Sequence, residues 1–354
     1  MFPIQIKPAE AVQELLEFNE KVFKGIDSLA DMREIDVAPL PKEVVYQEDK
    51  CVLYHYEPKV DTPCSVPILI VYALINRPYI VDLQQDRSIV QNLLNLGMDI
   101  YLIDWGYTDR GDMFLTMDDY INGYVDNCVN AVRKRHGLDA VNVLGICQGG
   151  TFSLCYASMH PKKVKNLITM VTPVDFSARD SLLNVWVQGL DVDVMVDTLG
   201  NVPGDFMNGG FLMLKPFQLM AQKYVGIVSL LDQQQSMRSF LRMEKWIFDS
   251  PDQAGETFRQ FIKDLFQDNK LIKGELEIGG ERIDLGRVTM PILNIYATED
   301  HLVAPASSMA LERYVGSKDV TTLPFPGGHI GIYVSSRSQK VLAPAIASWV
   351  KERC

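Results

Sequence analysis

Only five histidines and six cysteines occur among 354 residues. None stand at Cys-x-x-Cys or mixed Cys/His spacings, so a zinc site is not expected. No apolar run reaches the length that spans a bilayer, and the richest stretch, Val66 to Ala73, is the size of one strand. The start, Met-Phe-Pro-Ile-Gln-Ile-Lys-Pro-Ala-Glu, lacks an apolar signal core. A cytoplasmic chain with reduced thiols is therefore expected. Positive charge is also short: 34 basic against 45 acidic residues leave a net charge of −11. A chain so acidic is a poor binder of nucleic acid and of anionic membranes. Low-complexity tracts and internal repeats are absent. Hydrophobic residues make up 47% and charged residues 22%, the balance of an ordinary folded protein with no disordered bulk.

Residues 11–32 carry Val12, Leu15, Leu16, Val22, Phe23, Ile26 and Leu29 at helical spacing. This predicts an amphipathic helix that docks on its own domain or on a partner. From residue 50 onward strands and helices alternate. Val52–Tyr56, Pro67–Ala73, Asp99–Asp104, Ala140–Gly145 and Asn166–Val171 read as strands. Between them Arg87–Leu96, Thr116–Arg135 and Gly149–Met159 read as helices, with Thr116 as an N-cap. The continuous apolar run Pro67–Ala73 indicates a strand buried on both faces. Alternation of this kind predicts a mostly parallel sheet with helices on both sides.

The alternation stops at residue 177 and resumes with Pro291–Tyr296, Val320–Phe325 and a closing helix over Gln339–Arg353. The intervening residues 177–286 are helical, rich in methionine (Met195, Met207, Met213, Met220, Met237 and Met243), and end in a hairpin with a Gly279-Gly280 turn. The chain thus divides into an N-terminal helical segment (1–45), a core (46–176 and 287–354) and a helical cap insertion (177–286) over the sheet's carboxyl edge. The cap methionines suit either core filling or a pliable apolar channel.

Gly145-Ile-Cys147-Gln-Gly149-Gly150 stands between a strand and a helix. It is the Gly-x-nucleophile-x-Gly elbow of the α/β-hydrolase fold, with cysteine in place of the usual serine. The turn is too tight for side chains two residues either side, and it aims the sulfur at a helix N-terminus, where a thiolate is favoured. The backbone N–H of Gln148 is one candidate oxyanion donor; Val71 or Tyr72, in the loop after the second strand, is the other. The fold places an acid and then a histidine after later strands, in that chain order. Asp300 closes Asn294–Asp300, and His329 closes Leu323–His329. Cys147, His329 and Asp300 then act as nucleophile, base and orienting acid. Glu299 is a substitute for Asp300 in this scheme. His301 lines the site or is structural. His55, His136 and His160 read as surface residues, Cys155 as core, and Asp104-Trp105-Gly106 as pocket or packing. A buried structural cysteine in a tight turn is the bland alternative for Cys147.

A thiol nucleophile suits thioester exchange, because the acyl group stays activated for a second acceptor. An apolar cap that excludes water favours transfer over hydrolysis. The sequence resembles the polyhydroxyalkanoate (PHA) synthases, and among them the catalytic subunit of the class III enzymes, with the class IV enzymes close by. The carriers are Val71–Ile80, Tyr101–Gly106, Asp118–Tyr124, Gly145–Gly150, Val171–Phe176, Met243–Asp249 and Phe325–Ile330. The resemblance implies an acyltransferase that polymerises (R)-3-hydroxyacyl-CoA, such as 3-hydroxybutyryl-CoA, into polyester. No cofactor is implied, since coenzyme A leaves with each turnover. It implies Cys147, Asp300 and His329 as catalytic residues, and a second role for Asp300 in activating the 3-hydroxyl. It further implies a homodimer, a second and different subunit, and the surface of cytoplasmic polymer granules. A cysteine hydrolase of the dienelactone-hydrolase type and a non-catalytic granule scaffold stand as alternatives. The cap speaks against the first, and the three residues in topological register against the second.

Overall fold

The computed structural model describes residues 35–178, 182–214 and 233–353. The expected amphipathic helix over 11–32 lies outside the described residues. Eight strands form one sheet: β1 (Lys42–Glu48), β2 (Cys51–Tyr56), β3 (Ile68–Val71), β4 (Ile100–Asp104), β5 (Val141–Ile146), β6 (Val164–Met170), β7 (Ile292–Ala297) and β8 (Val320–Phe325). Their order is β1-β2-β4-β3-β5-β6-β7-β8. β1, β2 and β4 pair antiparallel, and every pairing from β4 to β8 is parallel. This is the α/β-hydrolase fold.

Sequence composition explains the position of each strand. β3 and β5 sit in the middle, and every residue of both is buried. These are the continuous apolar runs that a parallel sheet covered on both faces demands. β8 alternates more and carries Pro324, which an edge strand tolerates. Helices α1 (Ile89–Asn95), α2 (Asp126–His136) and α3 (Gln148–Met159) cross between strands. The segment leading into α2 starts where the sequence expects. Thr116 and Asp119 cap each other, the Thr116 N–H donating to Asp119 Oδ2 at 2.7 Å and the Asp119 N–H to Thr116 Oγ1 at 3.4 Å. A π-helical stretch, Asp119–Val125, then joins it to α2.

Helices of the insertion include α4 (Leu182–Gln188), α5 (Val192–Leu199), α6 (Gly204–Leu214), α7 (Gln234–Phe248) and α8 (Gly255–Gln260). They differ in how they are held. α4, α5 and α8 share a small apolar core of their own, built on Val187, Val192, Val196 and Phe258. Ion pairs clamp its edge, with Arg259 binding Asp193 and Asp197 at 2.6 Å each and Lys263 binding Asp193 at 2.6 Å. From Phe261 onward the insertion instead joins the main core. Phe261, Leu265, Leu271 and Ile278 pack in the same cluster as Phe152 and Leu154 of α3. The last part of the insertion is thus seated on the sheet's helical layer. The hairpin expected on Gly279-Gly280 forms between Glu277-Ile278 and Glu281-Arg282, with φ of +57° and +79° at the two glycines. A closing helix, α9 (Ser336–Lys351), packs on α1.

Parallel register aligns the carboxyl ends of the central strands. Val71 lies opposite Gly145, Gly145 opposite Thr169, Met170 opposite Ile295, and Ala297 opposite Phe325. Whatever follows β3, β5, β7 and β8 therefore emerges along one edge.

Candidate active site

Cys147 is the first residue after β5, with φ 53° and ψ −124°. This is a strained conformation for a residue with a side chain, and the neighbours enforce it. A Cβ on Gly145 would lie 2.5 Å from the Gly150 Cα and 2.6 Å from Ser153 Oγ. On Gly149 it would lie 2.2 Å from the Val71 carbonyl oxygen and 2.5 Å from that of Tyr72. On Gly150 it would meet Thr172 Oγ1 at 1.9 Å. The three glycines let α3 press directly against β5, the loop after β3 and the segment after β6. The Cys147 N–H donates to the Met170 carbonyl at 2.9 Å, which fixes the elbow to β6.

Asp300 follows β7 and His329 follows β8. Asp300 Oδ2 accepts from His329 Nδ1–H at 2.7 Å. Asp300 Oδ1 accepts from the backbone N–H of Leu302 at 2.8 Å and of Val303 at 2.9 Å. The carboxylate is thereby held in place, and its side chain is only 1% exposed. An ionised carboxylate only accepts, so the ring carries its proton on Nδ1 and turns Nε2 the other way. Cys147 lines the same cavity as this ring. Burial works to lower the His329 pKa. The charges of Asp300 and Cys147, and the hydrogen bond to Asp300, outweigh it and raise the pKa to about 10. The surroundings hold an imidazolium, the state the ring reaches on taking a proton from Cys147. Glu299 points to solvent and takes no part.

Cys147 and His329 open into a cavity of about 380 Å³. Its far wall comes from the insertion, with Trp186, Phe206, Met207 and Trp246 prominent. Gln148 and His301 also line it. As the first residue of α3, Gln148 has an N–H with no intrahelical acceptor. Val71 does not reach the cavity. It lies in β3, fully buried and paired with Gly145, and the wall begins at Tyr72 and Ala73. Of the two residues expected to supply the second oxyanion donor, Tyr72 lines the cavity and Val71 does not.

That loop is tied on every side. Gln148 Oε1 accepts from the Leu74 N–H at 3.0 Å. Trp105 Nε1–H donates to the Tyr72 carbonyl at 3.0 Å, which gives Trp105 a supporting role behind the site. Asn76, at φ +57°, donates to the carbonyls of Trp246 and Ile247 at the end of α7. Asp249, just past α7, accepts from Tyr79 Oη at 3.0 Å and Tyr107 Oη at 2.6 Å. Arg77 binds Asp104 at 2.8 Å and lies over the Tyr107 ring at 4.2 Å. The sequence runs around residues 71–80, 101–106 and 243–249 meet here, in one latch between the insertion and the catalytic edge.

The remaining sequence candidates are structural. His55 and His136 are partly buried rather than surface groups. They converge on Asp99, at 2.7 Å and 3.5 Å, at the opposite end of β4. His160 binds Asn122 at 2.8 Å. Cys155 lies in the core, where burial pushes its thiol up to about 12. Met237 is buried, Met207 faces the cavity and Met213 is exposed, so the methionines serve no single purpose. Among the described residues no cluster of His, Cys, Asp and Glu is arranged to hold a metal ion.

Residues 66–335 match the family model described as "alpha/beta hydrolase fold". Residues 28–93 match "Poly-beta-hydroxybutyrate polymerase (PhaC) N-terminus". The chain is 56% identical to the poly(3-hydroxyalkanoate) polymerase subunit PhaC of Allochromatium vinosum, covering 100% of both chains. It is 55% identical to the subunit of the same name from Synechocystis sp., over 99% of this chain and 96% of that one. Among solved structures, a monoacylglycerol lipase from Paleococcus ferrophilus superposes with a TM-score of 0.56 at 16% identity, covering 87% of this chain and 100% of the lipase. That likeness concerns the fold.

Proposed function

The chain belongs to the poly(3-hydroxyalkanoate) polymerase family of α/β-hydrolase-fold enzymes, and from that premise we propose that it builds polyester through an acyl thioester on Cys147. It is an acyltransferase. Its substrates are (R)-3-hydroxyacyl-CoA thioesters, 3-hydroxybutyryl-CoA among them. The observation that carries the mechanism is the Asp300–His329 hydrogen bond, with His329 and Cys147 together lining a cavity walled by the insertion.

In the acylation half, His329 takes the Cys147 proton and the sulfur attacks the thioester carbonyl carbon. The oxygen that gains charge faces the Gln148 N–H and the loop from Tyr72. The carbon–sulfur bond to coenzyme A breaks, and the leaving thiolate takes the proton from His329. In the elongation half, His329 accepts the proton of a 3-hydroxyl group. The hydroxyl oxygen attacks the Cys147 thioester, an ester bond forms, and Cys147 leaves and recovers the proton. We assign hydroxyl activation to His329 and not to Asp300. Both Asp300 oxygens are committed, and its side chain is 1% exposed behind the ring. Asp300 acts through the imidazole. The insertion serves as a cap: its apolar wall keeps water from the thioester, so that a hydroxyl rather than water accepts the acyl group. No cofactor enters this scheme.

We further place the enzyme at the surface of polymer granules in the cytoplasm, as a homodimer working with the second class III subunit. This rests on the family resemblance. No described helix is long and apolar enough to cross a membrane. The test compares thiol release from (R)-3-hydroxybutyryl-CoA, and sedimentable polymer, in the wild type and Cys147→Ala. Both signals in the wild type and neither in the variant are expected. Release that yields only free 3-hydroxybutyrate would make the enzyme a hydrolase.

A further inference from the structure

The buried hydroxyl of Tyr333 has no hydrogen-bond partner among the described residues. Tyr333 is 1% exposed and sits four residues past His329, in the short helix Gly331–Val334. Its ring meets the His329 ring edge-on, with centroids 6.0 Å apart at 84°. It also meets Tyr72 edge-on, at 6.4 Å and 66°. Tyr72 lines the cavity beside Cys147. An unpaired hydroxyl in such a place destabilises the resting fold, and a phenylalanine would fill the same volume without that cost. The oxygen is explained if its partner forms only during turnover.

We propose that Tyr333 is a positioning residue whose hydroxyl donates to Tyr72 as charge develops at Cys147, turning the Tyr72 O–H toward the reacting centre, while its ring edge fixes the plane of His329. Two hydroxyls in line polarise each other, so the outer one becomes the stronger donor. Both stay protonated: burial first, then the nearby acidic groups, hold Tyr72 and Tyr333 well above the ordinary tyrosine range. Tyr72 thus joins the backbone donors beside the reacting carbonyl, and Tyr333 supports it from behind. The inference rests on Cys147 being the acylated residue.

The test uses full-length Tyr333→Phe, Tyr72→Phe, the double variant and Cys147→Ala. The readouts are coenzyme A release from (R)-3-hydroxybutyryl-CoA, iodoacetamide alkylation of Cys147 followed by peptide mass spectrometry, and thermal unfolding. Tyr333→Phe is expected to lower kcat about tenfold with KM nearly unchanged, and to slow Cys147 alkylation, while its Tm stays level or rises. A residue that merely packs would show the same Tm but leave kcat and Cys147 alkylation at their wild-type values. The double variant is expected to be no slower than Tyr72→Phe, since the two hydroxyls act as one chain. Wild-type kcat and alkylation in Tyr333→Phe, or multiplicative losses in the double variant, would overturn the proposal. Retained coenzyme A release in Cys147→Ala would instead overturn the thioester reading beneath it. If release requires the second subunit, alkylation decides alone: an unchanged rate in Tyr333→Phe overturns the proposal.

Discussion

Replacing Asp300 with asparagine changes one oxygen to an amide nitrogen, and the structure determines which one. Asp300 Oδ1 accepts two backbone N–H groups, while Oδ2 accepts one ring N–H. An asparagine has a single oxygen to offer. Placing it at His329 would set its NH2 group against the N–H groups of Leu302 and Val303 and strand both. Each stranded buried donor costs about 1–3 kcal/mol. Placing the oxygen at the backbone strands nothing if His329 moves its proton from Nδ1 to Nε2. A tautomer change of a neutral imidazole is the smaller cost, so this arrangement wins. The ring then presents N–H to Cys147 and has no lone pair with which to take its proton. A kcat loss on the order of 10³ to 10⁴ follows, the scale on which serine enzymes with the same relay suffer from a wrong tautomer. Fold and substrate binding should survive, because the backbone contacts are kept. Steady-state release of coenzyme A, read beside circular dichroism and Tm, measures this. Activity near the wild-type level in a folded Asp300→Asn protein would refute the reasoning.

Three further perturbations follow from the geometry. Gly149→Ala places a methyl 2.2 Å from the Val71 carbonyl oxygen, where only backbone movement can relieve it; a loss of roughly 1–3 kcal/mol or more in urea unfolding, and of nearly all coenzyme A release, is expected. Asp249→Ala removes the acceptor shared by Tyr79 and Tyr107; faster hydrogen exchange over residues 72–79 and about tenfold lower kcat/KM are expected, since small misplacements near the reacting centre are costly. Asp82 is buried, and burial raises its pKa to about 6. An acid raised in this way loses stability as pH climbs from its unfolded value towards 6, and the loss stays in force above that. Asp82→Asn should therefore raise stability by on the order of 1–3 kcal/mol at pH 8 and leave it unchanged near pH 4, by urea titration at both pH values.

Much of this architecture was legible in the chain because it is locally encoded. Ile68–Val71 and Val141–Ile146 announce buried parallel strands by composition, and Thr116 with Asp119 announces a helix start by chemistry. The site was legible for a different reason. Once Gly145–Gly150 is read as an elbow, topology dictates that the acid and histidine leave the same sheet edge, and Asp300 and His329 are the residues found there. What stayed hidden depends on contacts between distant segments. Tyr79 and Asp249 are 170 positions apart, and no periodicity links them. The division of the insertion also lies beyond pattern reading, because Phe258 and Phe261 look alike in sequence yet serve different cores. Which of Val71 and Tyr72 lines the cavity was hidden too, since an apolar run does not mark where a strand gives way to a loop. Tyr333 carried a signal that could have been used: a tyrosine four residues beyond the candidate base His329 has a hydroxyl to account for.

The most direct test is to trap the acyl group. Wild-type protein mixed with (R)-3-hydroxybutyryl-CoA, quenched in acid and digested, should yield the peptide containing Cys147 with hydroxybutyryl units attached through a hydroxylamine-sensitive bond. Asp300→Asn should accumulate far less of it in the same time. An acyl group on any other residue, or coenzyme A release with Cys147 unmodified at every quench time, would contradict a thioester on Cys147.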